Sequence, residues 1–257
     1  MLDFLKPPVE AFQDFVVLCG RAVRNMFRSP HYADDIFLQM DIMGVGSLFI
    51  VSLIGLFSGI VMALQMARAL TQYGAQNQVG QIVSITLVRE LGPVLTAVLV
   101  AGRNASGIAS ELGSMKVTEQ IDAMRALGTD PVQKLVTPRL IALATVLPLL
   151  TIIGDFIGLI GGYFIASTML GIGFSEYWTS AWQILEYNDL AQGLMKPFFF
   201  AIVIALVGCY YGMRTTGGTQ GVGRATTSAV VTSSVWIFVL TALITRVFVW
   251  IASSGSL

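Results

Sequence analysis

The chain has 257 residues, of which 55% are hydrophobic and only 12% are charged, and its mean hydropathy is +0.76. Soluble domains carry about 25% charged residues, so this composition excludes an ordinary water-soluble protein and predicts a membrane protein. The 15 basic and 15 acidic residues leave no net charge and form no basic cluster, which argues against nucleic acid as a partner.

The N-terminal 43 residues are predicted to form an amphipathic segment outside the membrane core. Apolar side chains recur there at helical spacing, at Phe12, Val16, Cys19, Val23 and Met26. Such a helix either lies in the cytoplasmic interface of the bilayer or packs as a soluble helix on a partner protein. No basic stretch precedes an apolar run at the start of the chain, so no cleavable signal peptide is predicted.

Five apolar segments meet or approach the roughly 20 residues that a transmembrane helix needs. They are residues 44–65, 79–102, 140–166, 197–213 and 230–251. The fourth is the shortest and crosses fully only with help from Leu194 and Met195 or in a thinned bilayer. The sequence therefore predicts an all-α, polytopic membrane protein, with residues 44–257 as one transmembrane domain.

The distribution of basic residues predicts the orientation, because Lys and Arg are retained on the cytoplasmic side. The segments predicted to be inside carry Lys6, Arg21, Arg24, Arg28, Arg103, Lys116, Arg125, Lys134, Arg139, Arg214 and Arg224. The alternate connections carry only Arg68 and Lys196. The N-terminus is predicted to be cytoplasmic and the C-terminus periplasmic, with an outer loop at 167–196 that contains interfacial tryptophans and acids.

Two adjacent charges, Arg89 and Glu90, interrupt the second span about halfway along it. Each costs roughly 2.5 to 3.5 kcal/mol at the centre of a membrane helix, so both must face protein or water. Neighbouring residues point about 100° apart on a helix, and each charge therefore needs its own partner or its own water. Either the pair lines a cavity or it belongs to a network that only fixes helix packing.

Gly92 and Pro93 follow directly and favour a bend in the second span. A bent helix beside two charges suggests a substrate chamber. Arg246 in the fifth span either snorkels to the headgroups or faces that chamber.

Small residues predict close helix packing in the first and third spans. Gly55 and Gly59 lie in the first span, and the third span has the spacing Gly154, Gly158 and Gly162. Asp155 lies within that glycine stripe, and we expect its carboxylate to be hydrogen-bonded to a neighbouring helix.

The connection at 103–139 is predicted to be a cytoplasmic loop that holds a short amphipathic helix. Val117, Ile121, Met124 and Leu127 form an apolar face, and Gly128 with Pro131 marks its end. Charges of both signs argue against simple adhesion to anionic lipid. The pattern favours a helix that docks into a soluble partner over one that lies on the bilayer.

No residues suited to catalysis or metal binding are recognisable in the sequence. The phosphate-binding pattern Gly-x-x-x-x-Gly-Lys-[Ser/Thr] does not occur, and the glycine cluster at 217–223 lacks a surrounding strand and helix unit. His31 is the single histidine, and Cys19 and Cys209 lack zinc-site spacing and are interpreted as buried hydrophobes. We predict that the chain is not an enzyme and holds no cofactor or metal.

Taken together, the stretches at 87–93, 101–113, 115–130 and 217–227 resemble the MlaE family of permeases, the membrane subunits of lipid-transporting ABC systems that work with MCE-domain proteins. Their order and spacing cover most of the chain from the first span to the last. The resemblance implies a homodimer in the bacterial inner membrane. Its implied partners are two cytoplasmic ATPases that hold ATP and Mg, a periplasmic hexamer of MCE-domain proteins and a STAS-domain protein.

The resemblance also implies a substrate and residue roles. The substrate would be glycerophospholipid moved between inner and outer membranes to maintain outer-membrane lipid asymmetry. The implied lipid-pocket residues are Met62, Gln65, Leu70, Tyr73, Arg89, Glu90 and Arg246. The implied ATPase-coupling residues are Glu111, Glu119, Gln120, Ile121, Met124, Arg125, Leu127 and Gly128.

Three other functions stay open on the sequence alone. Arg89, Glu90 and Asp155 could instead form the proton or ion relay of a secondary transporter or channel, which would be indifferent to ATP. A structural scaffold for a soluble complex is the second rival, and a lipid-modifying enzyme is the weakest, because no nucleophile, base or metal site is visible.

A dimer is also expected on physical grounds. Five helices are few to enclose a two-tailed lipid, whereas a two-fold dimer supplies ten.

Overall fold

The computed structural model describes residues 6–26, 28 and 32–254 of the chain. Within these residues the regular structure is entirely helical, which confirms the predicted all-α class. We number the helices α1 (Lys6–Met26), α2 (Ala33–Gln72), α3 (Gln76–Val117), α4 (Gln120–Ala126), α5 (Val132–Leu170), α6 (Phe174–Gln183), α7 (Tyr187–Met213) and α8 (Gly218–Ser254). His31 lies outside the described residues.

Among the described residues, five helices are long and apolar enough to cross a membrane, as predicted: α2, α3, α5, α7 and α8. The shortest, α7, has 27 residues. At 1.5 Å per residue it is about 40 Å long, more than the roughly 30 Å hydrocarbon core. The predicted fourth span, 197–213, is therefore only the C-terminal part of a helix that begins at Tyr187.

The helices continue beyond the apolar segments that predicted them. In the predicted loop 103–139, α3 runs to Val117 and α5 begins at Val132. Hydropathy identifies only the apolar part of a helix. The helix itself can extend into polar sequence, because its backbone hydrogen bonds do not require apolar side chains. The short helix expected in this connection is present as α4.

Four π-helical turns interrupt the long helices of the described chain: Asp41–Val45, Leu87–Leu91, Ala101–Ala105 and Val132–Val136. Such turns insert an extra residue and often mark functional sites. One of them contains Arg89 and Glu90, and the Gly92 N–H at its end bonds to the Leu87 carbonyl. The bend expected from Gly92 and Pro93 stays a prediction, and the π-turn directly precedes these two residues.

The described residues of the ranges 1–43, 101–145 and 201–235 form one compact unit. Within it, the second half of α3 packs on the second half of α7 at small residues. A Cβ added to Gly212 would lie 2.7 Å from the Leu112 Cβ, and one added to Gly208 would lie 3.2 Å from the Ala105 carbonyl oxygen. The buried Arg139 bonds to the Glu111 Oε1 at 2.8 Å and to the Leu135 carbonyl at 2.6 Å.

Helix α1 is held in this first unit by polar contacts. Asp14 pairs with Arg214 at 2.7 Å, and the Asn25 Nδ2 donates to the Asp130 Oδ2 at 3.1 Å. Val16 and Val23, from the predicted apolar face, are 50% and 48% exposed. This part of the face is free to contact lipid or a partner protein, so both interpretations of the N-terminal helix stay open.

The described residues of the ranges 44–100, 146–200 and 236–257 form the second compact unit, which contains a glycine contact between α2 and α5. A Cβ on Gly55 would lie 2.4 Å from the Gly154 carbonyl oxygen, and a Cβ on Gly59 would lie 1.7 Å from that of Gly158. No side chain fits at these distances. The two predicted glycine stripes therefore pack against each other, as small residues do where membrane helices approach closely.

Helix α6 closes the second unit with a buried aromatic side chain. Tyr177 is fully buried, and its hydroxyl donates to the Leu159 carbonyl at 3.2 Å. Its burial raises the pKa of the Tyr177 hydroxyl, which therefore stays protonated and able to donate. Part of the predicted outer loop 167–196 is thus a helix packed into the second unit.

We expect Gly59→Ala to lower the melting temperature of the purified chain in detergent, because its Cβ would overlap a backbone oxygen that cannot rotate away. Overpacking of this kind costs about 1–3 kcal/mol. Gly107→Ala is the matched control, since a Cβ at Gly107 meets nothing within 4 Å. Equal melting temperatures for both variants would contradict the close α2–α5 contact.

Candidate functional site

Arg89 and Glu90 each have separate partners, as their angular separation on the helix predicts. The Arg89 Nε donates to the Gln192 Oε1 at 3.2 Å and lies 3.4 Å from the Asp189 Oδ1. On Glu90, the Oε2 pairs with the Lys196 Nζ at 2.7 Å, and the Oε1 accepts a bond from the Thr245 hydroxyl at 3.2 Å. We call these six residues of α3, α7 and α8 the polar cluster.

The α7 members of the polar cluster share one helix face. Asp189, Gln192 and Lys196 are spaced three and four residues apart, which places them in line along α7. Asp189 also stabilises the start of its helix, because its Oδ2 accepts the Glu186 backbone N–H at 3.0 Å. This resembles the second half of a capping box. One carboxylate thus fixes the first turn of α7 and the position of Arg89.

Lys196 also donates to the backbone of α3. The Lys196 Nζ donates to the Arg89 carbonyl at 2.8 Å. This carbonyl belongs to the π-turn Leu87–Leu91, which is followed by Pro93, a residue without an N–H donor. Lys196 therefore contacts both the carboxylate of Glu90 and a carbonyl of the π-turn.

The polar cluster is electrically neutral, with two cations and two carboxylates. Its members differ in burial. The Lys196 side chain is completely buried, whereas the side chains of Arg89 and Glu90 are 34% and 37% exposed. Pairing offsets the cost of placing these charges among apolar side chains. Arg89 and Glu90 are therefore not fully enclosed in helix contacts.

The expectation that Lys196 closes an outer loop is wrong. Lys196 lies ten residues inside α7, next to the buried Pro197. Its polar neighbours at 189 and 192 lower the local hydropathy, so a search for apolar segments places the helix start too late. These polar residues occur inside a helix because they face the charges of α3.

The expectation that the Asp155 carboxylate is hydrogen-bonded is wrong for its Oδ1, which is buried without a partner among the described residues. A Cβ on Gly92 would lie 1.6 Å from this oxygen, so the glycine makes room for the carboxylate. The Thr151 hydroxyl donates to its own helix, to the Leu147 carbonyl at 2.9 Å. Close packing against a glycine provides space for the oxygen but no donor.

The lipid-pocket residues predicted on α2 lie in different surroundings. Met62 and Gln65 line a groove of about 300 Å³ together with Ile54, Phe57, Ser58, Val61, Leu91 and Leu95. Leu70 packs against the apolar core of the second unit, whereas Tyr73 ends α2 and is 83% exposed. Leu91 connects this groove to the π-turn that carries Arg89 and Glu90.

Arg246 on α8 is exposed and follows Thr245, the member of the polar cluster that bonds to Glu90. Its place in a lipid pocket stays a prediction.

Three members of the polar cluster could have been found from the sequence. Asp189, Gln192 and Lys196 have the spacing of one helix face, whereas no sequence pattern identifies Thr245.

The predicted coupling residues cluster at α4, which begins with a strained backbone. Glu119 adopts φ +60°, a left-handed conformation and the single positive φ of a non-glycine residue among those described. Gly128, with φ +80°, follows the helix. A left-handed non-glycine residue costs about 1–2 kcal/mol and often marks a functional turn.

Helix α4 is anchored by one side chain and exposes most of the others. Ile121 is fully buried, whereas Leu127 is 83% exposed, so the predicted apolar face is divided between the interior and the surface. Gln120 and Arg125 are exposed, and Met124 is half-buried.

Two cations hold Asp122 on α4. Asp122 pairs with Lys116 at 2.6 Å and with Arg125 at 3.0 Å, and the Lys116 hydrogen bond is the main reason that the pKa of this carboxyl is lowered. The pairing is therefore retained at neutral pH and is lost as the pH falls through the lowered pKa.

Comparison with known proteins identifies the family. The sequence profile described as Permease MlaE matches residues 36–247. A probable ABC transporter permease protein of Rickettsia typhi is 42% identical over 232 residues, 90% of this chain and 90% of that protein. Another from Synechocystis is 43% identical over 201 residues, 78% of this chain and 76% of its own length.

A plant relative is also similar. The chloroplastic protein TRIGALACTOSYLDIACYLGLYCEROL 1 of Arabidopsis thaliana is 35% identical over 223 residues, which cover 87% of this chain and 64% of the plant protein. The profile match covers most of the chain and includes both the polar cluster and α4. The chain therefore belongs to the MlaE permease family and is a multi-pass permease subunit of an ABC transporter.

Proposed function

We propose that this permease moves glycerophospholipids between the inner and outer membranes of a bacterium and so maintains outer-membrane lipid asymmetry. The observation that carries the proposal is the half-open polar cluster in the middle of an apolar helix, beside a groove lined by apolar side chains. Charged groups suit a phosphate-containing headgroup, and apolar walls suit acyl chains. The name of the Arabidopsis relative, which refers to a diacylglycerol lipid, also supports a lipid substrate.

The proposed complex is a homodimer in the inner membrane, with a cytoplasmic N-terminus and a periplasmic C-terminus. Two copies supply ten spanning helices and the two-fold symmetry that a pair of ATPases requires. The ATPases hold ATP and Mg, while a hexamer of MCE-domain proteins and a STAS-domain protein complete the assembly. The lipid pocket lies between the protomers, with Met62, Gln65, Leu70, Tyr73, Arg89, Glu90 and Arg246 around it.

Helix α4 is the proposed coupling helix. Its exposed side chains contact the ATPase, and buried Ile121 ties it to the permease. Glu111 connects this region to α5 through its ion pair with Arg139. When ATP binding closes the ATPases, α4 transmits the motion, the chamber narrows and lipid passes to or from the periplasmic partner.

A gradient-driven relay through Arg89, Glu90 and Asp155 is less well supported. Arg89 and Glu90 bond to side chains of α7 and α8, and the Asp155 Oδ1 has no partner among the described residues. In the described part of the chain, Glu90 and Asp155 are therefore not joined by direct side-chain hydrogen bonds. Such a relay would also make transport independent of ATP.

We expect Lys196→Met to destabilise the permease by about 1–3 kcal/mol, because the partly exposed Glu90 loses its cation and the Arg89 carbonyl loses the Lys196 hydrogen bond. The double variant Glu90→Gln with Lys196→Met removes both charges and should recover part of this loss. Thermal unfolding in detergent measures stability, and ATP-driven lipid transfer in vesicles measures function. Arg68→Gln, an exposed cation on α2, is the control.

The double variant separates a lipid pocket from a purely structural network. If the charges contact substrate, lipid transfer stays low even where stability returns. Full transport by the restored double variant would show that the polar cluster only fixes helix packing, and the lipid-pocket role of Glu90 would be wrong.

We expect Glu119→Gly combined with Arg125→Gln to weaken ATPase association and ATP-driven transport while the permease stays folded. Glycine adopts the left-handed conformation readily, so the substitution at Glu119 removes the side chain without adding backbone strain. Association is measured by co-purification, with Glu10→Gln on α1 as the control. Unchanged association and transport in the double variant would refute the coupling role.

A further inference from the structure

A second cavity, of about 460 Å³, lies wholly within the first compact unit and shares no residue with the polar cluster. Its walls come from α1, α4, α5 and α7. They are Asp14, Val17, Leu18, Arg21, Arg125, Val132, Tyr210, Met213 and Arg214. Its volume falls within the range of small-ligand sites, and of the residues in its wall only Arg125 also has a proposed coupling role.

The cavity has an excess of positive charge. Arg214 pairs with Asp14 at 2.7 Å and also donates to the Tyr210 hydroxyl at 2.9 Å. Arg125 pairs with Asp122 at 3.0 Å. Arg21 has no hydrogen bond or ion pair in the part of the chain that the structure describes. The wall thus holds three arginines and one carboxylate, while Asp122 lies outside it and also pairs with Lys116. Positive charge is therefore in excess in this cavity.

The remaining walls are apolar. Val17, Leu18, Val132 and Met213 lie in the same cavity as the arginines. A guanidinium group binds phosphate oxygens through two parallel N–H bonds, but a free phosphate gains nothing from apolar walls. A molecule with a phosphate beside an acyl chain matches both kinds of wall.

The surface of α1 favours a ligand that comes from the bilayer. Val16, Val17 and Val23 of α1 are exposed, at 50%, 44% and 48%. An amphipathic helix that buries such side chains among acyl chains holds its basic residues at headgroup depth. Arg21 would then meet lipid phosphates at the edge of the cavity.

We propose that this cavity binds the headgroup of an anionic phospholipid from the surrounding bilayer, separate from the transported lipid, and that the bound lipid holds α1 beside α4. The regulatory part of this inference rests on the proposed coupling role of α4. Anionic lipid would then raise the ATP-driven activity of the complex by stabilising the position of α4 relative to α1.

Binding is tested on the purified permease without ATP, in nanodiscs of phosphatidylcholine with or without phosphatidylglycerol. Native mass spectrometry counts the retained phosphatidylglycerol. We expect Arg21→Gln to weaken its binding about fivefold, which corresponds to ~1 kcal/mol for one basic residue near a lipid surface. Arg21→Lys keeps the charge but loses the bidentate geometry, and should fall between the wild type and Arg21→Gln.

Arg24→Gln is the matched control, because Arg24 is exposed on the same helix and does not line the cavity. Equal effects of Arg21→Gln and Arg24→Gln would mean general attraction to an anionic surface and would overturn the specific site. Competition by inorganic phosphate would assign the cavity to free phosphate and would also overturn the lipid proposal. Unchanged phosphatidylglycerol binding in both Arg21 variants would also overturn the lipid proposal.

The regulatory consequence is tested on the permease with its ATPase partner in the same two nanodisc compositions. Phosphatidylglycerol should stimulate ATP hydrolysis in the wild type and in Arg24→Gln, and less in Arg21→Gln. If lipid binding depends on Arg21 but phosphatidylglycerol does not change the rate of ATP hydrolysis, the binding site is supported and its regulatory link to α4 is refuted. Because binding is measured without transport, its failure is distinguishable from failure of the proposed lipid transport.

Discussion

The structure depends on the requirement that ionised side chains inside an apolar helix bundle have partners. Arg89 and Glu90 lie about a third of the way along α3, in the middle of its apolar segment 79–102, where unpaired charges would cost several kcal/mol. Their partners come from two other helices, so the positions of α3, α7 and α8 are linked through one neutral polar cluster. Pairing alone accounts for the stability of these charges, whereas the partial exposure of Arg89 and Glu90 is what makes the cluster suitable for function.

The π-turn of α3 and the polar cluster are parts of one arrangement. Lys196 donates to the Arg89 carbonyl within this turn while it neutralises Glu90. Gly92 makes room for Asp155, and the glycines of α2 and α5 allow their helices to touch. Small residues therefore set how closely the helices approach, and the charges set which helix faces meet.

The two compact units carry different parts of the proposed mechanism. The second unit contains the polar cluster and the groove at Met62, where substrate would bind. The first unit contains α4, whose left-handed Glu119 and exposed side chains suit contact with an ATPase, and the basic cavity beside α1. A transporter driven by a separate ATPase needs both functions in one chain, and long helices such as α3 and α5 contribute residues to both units.

By itself, the sequence determined the helical class, the five spans, the glycine stripes and the need of Arg89 and Glu90 for separate partners. These features follow from local composition, helical period and the cost of charge in hydrocarbon. Only the tertiary structure decided which partners those charges have, that α7 begins at Tyr187, and that the Asp155 Oδ1 has no partner among the residues described. Polar residues at 189, 192 and 196 look like a loop in a hydropathy scan, because the charges that make them favourable lie about 100 residues away in the sequence.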